Sequence, residues 1–261
     1  MSTRATHRDK TYFSDRSAQE MKQFLKGRDL TVQQQLAVTA RMLAMDGHEA
    51  GLAGQITARA EQPGSYWTLR FGLGFDEATP EDFIRVDDDL HTVEGSGMAN
   101  PATRFHLWVY DGRPDVNSIV HTHPPFTSAL TMLEEPLVIA HMDQTPFYND
   151  CAFLKEWPGL PIADEEGRII TEALQDKHAI ILAHHGYLVA GKSVQESCYL
   201  AVYLERAARM QLRASATGKI RPVPDALAQE AGAYLRKTSI VNATFDYYSR
   251  QTERYFGNYL Q

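Results

Sequence analysis

The stretch SIVHTHPPFTSAL, residues 118–130, places two histidines at the end of a short apolar run. Side chains of a β-strand alternate between the two faces of a sheet, so His121 and His123 would share one face with Cβ atoms ~7 Å apart. Pro124 ends the strand, and the proline that follows it suits the first turn of a helix. Two imidazoles at this spacing can hold one metal ion, although strand-end histidines are often simply exposed or hydrogen-bonded.

A second stretch strengthens the metal interpretation. In AIILAHHGYLVAG, residues 179–191, an apolar strand runs into His184 and His185 and then into a glycine that allows a sharp turn. Adjacent residues of a strand face opposite ways, so only one of these two histidines is expected to join His121 and His123. Three imidazole ligands would leave a coordination position open, as catalytic metal sites do.

Composition restricts the class of protein. The chain has 261 residues, 43% of them hydrophobic and 23% charged, which fits one large soluble domain or one domain with an appendage. A net charge of -7 without a basic patch argues against a nucleic-acid partner. The polar N-terminus and the lack of a long apolar stretch predict a cytoplasmic protein with no membrane partner. Cys151 and Cys198 are far apart, so a metal site must draw on histidine and carboxylate side chains.

The order of apolar patterns predicts a mixed sheet with helices packed on its faces. Helical spacing marks residues 18–46, 101–112, 125–133, 163–177 and 193–216. Strand patterns mark residues 55–60, 65–71, 118–123 and 179–191, and residues 82–97 suggest two strands around an acidic turn.

Three parts of the chain follow from these patterns. We expect a flexible N-terminal tail over residues 1–17, a single domain over residues 18–220 and a C-terminal helical extension over residues 221–261. The aromatic residues of the extension would lie at a subunit interface, close the site, or pack against their own domain.

Three segments together resemble the class II aldolase/adducin family. They are GLAGQITAR (51–59), FHLWVYDGRPDVNSIVHTHP (105–124) and AIILAHHGYLVAGKSVQESCYLAVYLERAARM (179–210), and the resemblance covers roughly residues 30–215. It implies an α/β fold with three layers, α/β/α, around a mixed, largely antiparallel sheet. It also implies a small-molecule substrate and a homotetramer with sites near the subunit boundaries.

The resemblance implies one divalent metal ion on His121, His123 and the histidine directly before the glycine, His185. His184 falls where the family often has asparagine. Imidazole suits zinc, iron, nickel and copper alike, so the three histidines do not identify the metal. We expect zinc or Fe(II), with Mn(II) as a further alternative. Elsewhere, His48 is expected at the surface or in a loop. His106, on the apolar face of a helix, is expected in the core or in contact with a metal ligand.

The residues expected around the metal depart from those of the sugar-phosphate aldolases in the family. A catalytic acid lies four residues before the helical histidine that corresponds to His106, and here that position is Ala102, which cannot transfer a proton. A serine pair that binds phosphate is replaced by Asn100-Pro101, and Gln55 stands where asparagine follows a glycine. We therefore expect a substrate other than a phosphorylated sugar.

Four residues are candidates for a role beside the metal. Glu94 precedes a flexible turn and would supply the missing acid, or it is an exposed turn carboxylate. Arg104 would bind a substrate carboxylate with both arms of its guanidinium, or form a surface salt bridge. Tyr187 would line the cleft or belong to the core, and Gln55 would contact the substrate.

Three functions are compatible with these features. The leading one is a metal-dependent lyase that breaks a carbon–carbon bond in a non-phosphorylated oxo- or hydroxy-acid, by aldol cleavage or decarboxylation, with the metal stabilising an enolate. The second is a non-haem Fe(II) oxygenase on the same three histidines. The third is a non-catalytic binding module like the adducin head domain, and retention of the three histidines argues against it.

Overall fold

The computed structural model describes residues 8–261 of the chain. In this part the strands are β1 (Gln55–Arg59), β2 (Ser65–Leu69), β3 (Phe83–Asp87), β4 (Thr92–Glu94), β5 (Ser118–Thr122), β6 (Cys151–Leu154), β7 (Ala179–Leu182) and β8 (Tyr187–Gly191). They form one sheet in the order β4-β3-β2-β1-β5-β8-β7-β6. Neighbouring strands of this described sheet are antiparallel except β6 and β7, which run parallel. The predicted α/β fold with a mixed, largely antiparallel sheet is confirmed.

Helices cover both faces of this sheet. They are α1 (Lys10–Phe24), α2 (Val32–Met45), α3 (Arg104–Gly112), α4 (Pro125–Met132), α5 (Asp164–Leu174), α6 (Val194–Ser215), α7 (Asp225–Leu235) and α8 (Thr238–Phe256). Buried side chains of α3 and α5 pack on one face, and those of α2, α6 and α8 on the other. In the described part of the chain, no helix combines the length and apolar character that crossing a membrane requires.

Successive side chains of β5 point to opposite faces of the sheet and so belong to two different hydrophobic cores. Ile119 belongs to the core under α3 and α5, and Val120 to the core under α2 and α6. His121 therefore lies on the same face as Ile119, and Thr122 on the opposite face with Val120. Strand alternation therefore places the His121 side chain on the face of the sheet that helices α3 and α5 cover.

The N-terminal segment differs from the expected flexible tail. Residues 10–17 belong to helix α1, and the Asp9 carboxylate caps it by accepting a hydrogen bond from the Tyr12 amide at 2.9 Å. Residues 1–7 of the expected tail lie outside the described residues. The long helix predicted from residue 18 is interrupted, because α2 begins anew at a capping box formed by Thr31 and Gln34.

The C-terminal extension packs on its own domain. Val241, Phe245 and Tyr248 of α8 are almost fully buried and join the core formed with α2 and α6. These three side chains of α8 therefore contribute to the hydrophobic core of their own chain.

Candidate metal centre

Three histidines meet where strand β5 ends beside the turn between β7 and β8. His121 lies in β5, His123 is the first residue after this strand, and His185 lies in the turn. One ring nitrogen from each lies within 4.8 Å of the others. The ring centroids are 4.6–4.8 Å apart. The structure therefore brings together the three predicted ligands and, among the described residues, adds no carboxylate to their group.

Hydrogen bonding fixes the ring of His121. Its Nδ1–H donates to the backbone carbonyl of Tyr187 at 2.7 Å, which leaves Nε2 with a free lone pair. That Nε2 lies 2.9 Å from Nε2 of His123. Metal–nitrogen bonds of about 2.0–2.1 Å allow one ion to contact nitrogens up to ~4.2 Å apart. The pair fits one ion as it stands, and His185 completes the set once its nitrogen approaches by a few tenths of an ångström.

Burial keeps these imidazoles neutral. Desolvation lowers the pKa of His121 well below its usual range, and the neighbouring histidines lower it further. Desolvation also lowers the pKa of His123, and with the charge of His123 it lowers that of His185 to about 4. A neutral imidazole is the form that binds a metal, so the site is ready for a cation at neutral pH.

Backbone geometry decides which histidine of the pair turns inward. His184 has a φ of 58° and hydrogen-bonds the Glu134 carboxylate at 3.1 Å, with almost half of its side chain exposed. Asparagine and histidine adopt this left-handed conformation more readily than most residues. Gly186 allows the turn to approach β5, because a Cβ there would lie 2.5 Å from the Thr122 carbonyl oxygen and 2.6 Å from the His123 ring.

Tyr187 contributes through its backbone rather than by lining a cleft. Its side chain is fully buried on the face opposite His121, and its hydroxyl lies 3.1 Å from Nδ1 of His48. The alternative of a core tyrosine therefore describes its side chain. His48 was expected at the surface or in a loop; it lies in the loop that follows α2, but its side chain is fully buried rather than exposed.

Two buried polar atoms beside His121 lack a hydrogen-bond partner among the described residues. Gln55 pairs with His121 across the β1–β5 ladder, is 5% exposed, and its Oε1 is unpartnered. His106 of α3 accepts or donates a hydrogen bond at Nδ1 with Thr57 at 2.9 Å, but its Nε2 is unpartnered. Phe105 packs edge-on against the rings of both His106 and His121. Sequence reasoning singled out Gln55 but treated His106 only as a core or supporting residue.

Glu94 and Arg104 are not brought to the three histidines within this chain. Glu94 lies on β4, the outermost strand, with three strands between it and β5, and bonds Arg85 at 3.0 Å. Arg104 bonds the Asp164 carboxylate at 2.9 Å and the Asp88 carbonyl at 2.7 Å. Its guanidinium is therefore engaged in the surface salt bridge that the sequence left as the alternative.

The two segments expected to replace the phosphate-binding loops of the sugar-phosphate aldolases lie close together in this chain. The segments at Gln55 and Asn100 border a cavity of about 20 Å³, roughly the space of one water. The Asn100 side chain is used within its own turn, where it accepts from the Ala102 amide at 3.0 Å. The apolar side chains of Leu52, Leu69, Phe71 and Phe75 and the polar side chains of Thr68 and Arg70 also line this cavity. A cavity of this volume has no room for a phosphate group, although Thr68 and Arg70 in its wall carry hydrogen-bond donors.

Comparison with known proteins identifies the family. The sequence model of the class II aldolase and adducin N-terminal domain matches residues 34–212, more than half of the chain. The chain is 32% identical to a Streptomyces roseochromogenus protein named 4-hydroxy-3-prenylphenylpyruvate oxygenase/4-hydroxy-3-prenylbenzoate synthase, over 76% of this chain and 73% of that protein. It is 33% identical to decarboxylase NovR of Streptomyces niveus, over 76% and 75%.

Solved structures agree with this assignment. The L-fuculose 1-phosphate aldolase of Glaciozyma antarctica superposes with a TM-score of 0.80 and 28% identity, over 88% of this chain and 92% of that one. The relatives named above are enzymes by name, and the three histidines form a group able to hold a cation. The chain therefore belongs to the class II aldolase/adducin family and is a metal-dependent lyase of the class II aldolase type.

Proposed function

We propose that the protein breaks a carbon–carbon bond in a non-phosphorylated oxo- or hydroxy-acid, by decarboxylation or aldol-type cleavage. The observation that carries this proposal is the group of three converging neutral imidazoles, together with the small cavity of about 20 Å³ between the segments at Gln55 and Asn100. Bound at His121, His123 and His185, a divalent ion would act as a Lewis acid that stabilises an enolate. The similarity to a decarboxylase supports the same substrate class.

The chain's own residues would orient such an acid. Gln55 and His106 each present a buried polar atom without a partner next to His121. Leaving such an atom unpaired costs about 1–3 kcal/mol, so a substrate oxygen or hydroxyl that pairs with it would gain affinity. The apolar edge of Phe105 beside His121 would exclude water from the reacting carbon.

A second candidate function is an Fe(II)-dependent oxygenase. Its support is the 32% identity to a protein whose name includes an oxygenase activity, together with an all-histidine group. Imidazole binds Fe(II) as well as zinc, so the ligand set is compatible with both reactions. The two functions share the metal ligands and differ in their need for O₂.

The deciding experiment compares metals and gases on one protein preparation. Protein purified without added metal is analysed for metal content, stripped with a chelator and reloaded separately with zinc, Mn(II) or Fe(II). Each form is given 2-oxo, 3-oxo and 2-hydroxy acids and L-fuculose 1-phosphate, while CO₂, organic products and O₂ uptake are measured. Turnover of an acid without O₂ uptake supports the lyase. Turnover only with Fe(II) and O₂ supports the oxygenase, and selective cleavage of the sugar phosphate refutes the proposed substrate class.

Two neighbouring histidines provide matched variants. His185→Asn should lose both bound metal and turnover, because it removes one of three ligands. His184→Asn should keep both, since His184 faces Glu134 and asparagine tolerates its left-handed backbone. Equal metal content in the two variants would contradict the assigned ligand set. The homotetramer implied by the family stays a prediction, to be measured by light scattering on the same samples.

A further inference from the structure

We propose that His48 is a positioning residue that holds strand β5, which carries His121, to strand β8, which follows the turn carrying His185, and thereby sets the affinity for the metal. This rests on the proposed metal centre at His121, His123 and His185. The imidazole of His48 lies on the opposite face of the sheet and touches none of the three described ligand rings through a hydrogen bond. Its effect would therefore pass through the backbone of strands β5 and β8.

The end of helix α2 places His48 in the core. Gly47 has a φ of 81°, and its amide donates to the Ala44 carbonyl at 3.1 Å. The His48 amide donates to the Leu43 carbonyl at 3.0 Å. This pair of bonds is a Schellman motif, which reverses the chain at a helix C-terminus and fixes the direction of the next side chain. His48 thus leaves α2 aimed at the sheet and is fully buried.

One nitrogen of His48 contacts side chains of both β5 and β8. Nδ1 lies 3.0 Å from the Thr122 hydroxyl and 3.1 Å from the Tyr187 hydroxyl. Thr122 and Tyr187 are directly paired across the β5–β8 ladder. Thr122 stands between His121 and His123, and the backbone carbonyl of Tyr187 holds Nδ1 of His121. We call the contacts of His48 with Thr122 and Tyr187 the clamp. The clamp therefore joins β5 and β8 at the paired position next to the ligand histidines.

The second nitrogen gives the ring a fixed orientation. Nε2–H of His48 donates to the Asp46 carboxylate at 3.3 Å, which leaves the single lone pair of Nδ1 to be shared by the Thr122 and Tyr187 hydroxyls. A buried ring that only filled space would need none of these bonds, and a leucine would pack there without polar atoms to satisfy. Groups that orient metal ligands without binding the metal typically contribute 10–100-fold to metal affinity.

Tyrosine variants give the sharpest test, because removing one hydroxyl leaves packing intact. Tyr187→Phe removes one arm of the clamp, and Tyr199→Phe removes the hydroxyl of another fully buried tyrosine in the same core, one with no hydrogen-bond partner among the described residues. Zinc affinity is measured by competition with a chromophoric chelator, and metal-free stability by denaturant unfolding. We expect Tyr187→Phe to weaken zinc binding roughly 10-fold and Tyr199→Phe to leave it unchanged.

Variants of His48 itself test the nitrogen directly. His48→Leu should weaken zinc binding by about 10–100-fold, while His48→Asn, whose amide oxygen stands near the place of Nδ1, should recover most of the affinity. Wild-type affinity in Tyr187→Phe and in a folded His48→Leu would overturn the clamp. If His48→Leu does not fold, Tyr187→Phe alone decides the matter. Failure of the wild-type protein to bind any divalent ion would overturn the metal centre and the clamp together.

Discussion

A methyl group added at Gly186 should damage the metal centre more than the fold. In Gly186→Ala the new Cβ would lie 2.5 Å from the Thr122 carbonyl oxygen and 2.6 Å from a carbon of the His123 ring, whereas ordinary contact begins at 3.4 Å. Relieving the overlap needs a displacement of about 0.9 Å between the turn and β5. Backbone cannot move aside as a flexible side chain does, so the displacement falls on the turn that carries His185.

Two magnitudes follow from this displacement. Overpacking of this kind costs about 1–3 kcal/mol in unfolding free energy, or roughly 2–12 °C in melting temperature for a domain of this size. A shift of ~1 Å in a positioned group can reduce activity by about 100-fold. The loss of turnover should therefore be much larger than the loss of stability would explain at a temperature where the variant is folded.

The assay pairs Gly186→Ala with Gly218→Ala. A Cβ at Gly218 meets nothing within 4 Å, and its backbone is not in the left-handed region, so this control should behave as wild type. Zinc affinity, turnover at saturating zinc and thermal unfolding are measured for both. Wild-type zinc affinity and turnover in Gly186→Ala would show that the close approach of the turn to β5 does not position the ligands.

Three other changes test the surrounding assignments. Glu94→Gln should alter kcat by less than ~2-fold, because the carboxylate is 55% exposed and paired with Arg85; a large loss in a steady-state assay would restore Glu94 as the acid. Gln55→Leu should lower kcat/KM by about 10–100-fold with metal content unchanged, and wild-type kinetics would remove Gln55 from the substrate site. The unfolding free energy of metal-free protein should fall as the pH falls from about 6.5 towards 4. Each buried histidine that is neutral in the folded state, such as His106, contributes about 1.4 kcal/mol per pH unit to this loss. The reason is that the unfolded chain binds a proton at His106, which burial keeps neutral by lowering its pKa to about 3. Denaturant unfolding at pH 7 and pH 5 should show a smaller loss of unfolding free energy in His106→Gln than in the wild type. An equal loss in the two proteins would contradict this origin.

Local patterns predicted the central strands well. Residues 118–122 and 179–191 carry apolar runs that end in histidine, and these became β5 and the β7–β8 hairpin with the histidines at one edge. The information needed for this prediction lies within a few residues, because alternation and a glycine turn are local properties. The order of the strands is not local, and for that reason Glu94 seemed available to the site although it lies on the outermost strand.

Other elements could not be predicted from the sequence, because their local patterns are weak or because their positions depend on tertiary contacts. The parallel edge strand β6, Cys151–Leu154, is only four residues long, and helix α1 buries none of its residues. The destination of His48 depended on the Schellman turn at Gly47. The sequence indicated that α2 ends there, but a helix stop does not say which surface the next side chain meets.

Position 102 bears on which lyase reaction the site can perform. Aldol cleavage begins when a base removes the proton of a substrate hydroxyl, and Ala102 offers none. The unpartnered atoms beside His121 are Oε1 of Gln55, which is not a base at neutral pH, and Nε2 of His106. Desolvation lowers the pKa of His106 to about 3, so this ring is a weak base as well.

Decarboxylation does not need that base, because a substrate carboxylate is already ionised at neutral pH and leaves as CO₂. A 3-oxo acid would form the enolate directly, with Nε2–H of His106 able to donate a hydrogen bond to one of its oxygens. We therefore expect zinc- or Mn(II)-loaded protein to act faster on 3-oxo acids than on 4-hydroxy-2-oxo acids, which require the base. Restoring a carboxylate in Ala102→Glu should raise aldol cleavage selectively, and faster cleavage of the hydroxy acid by the wild-type protein would refute the reasoning.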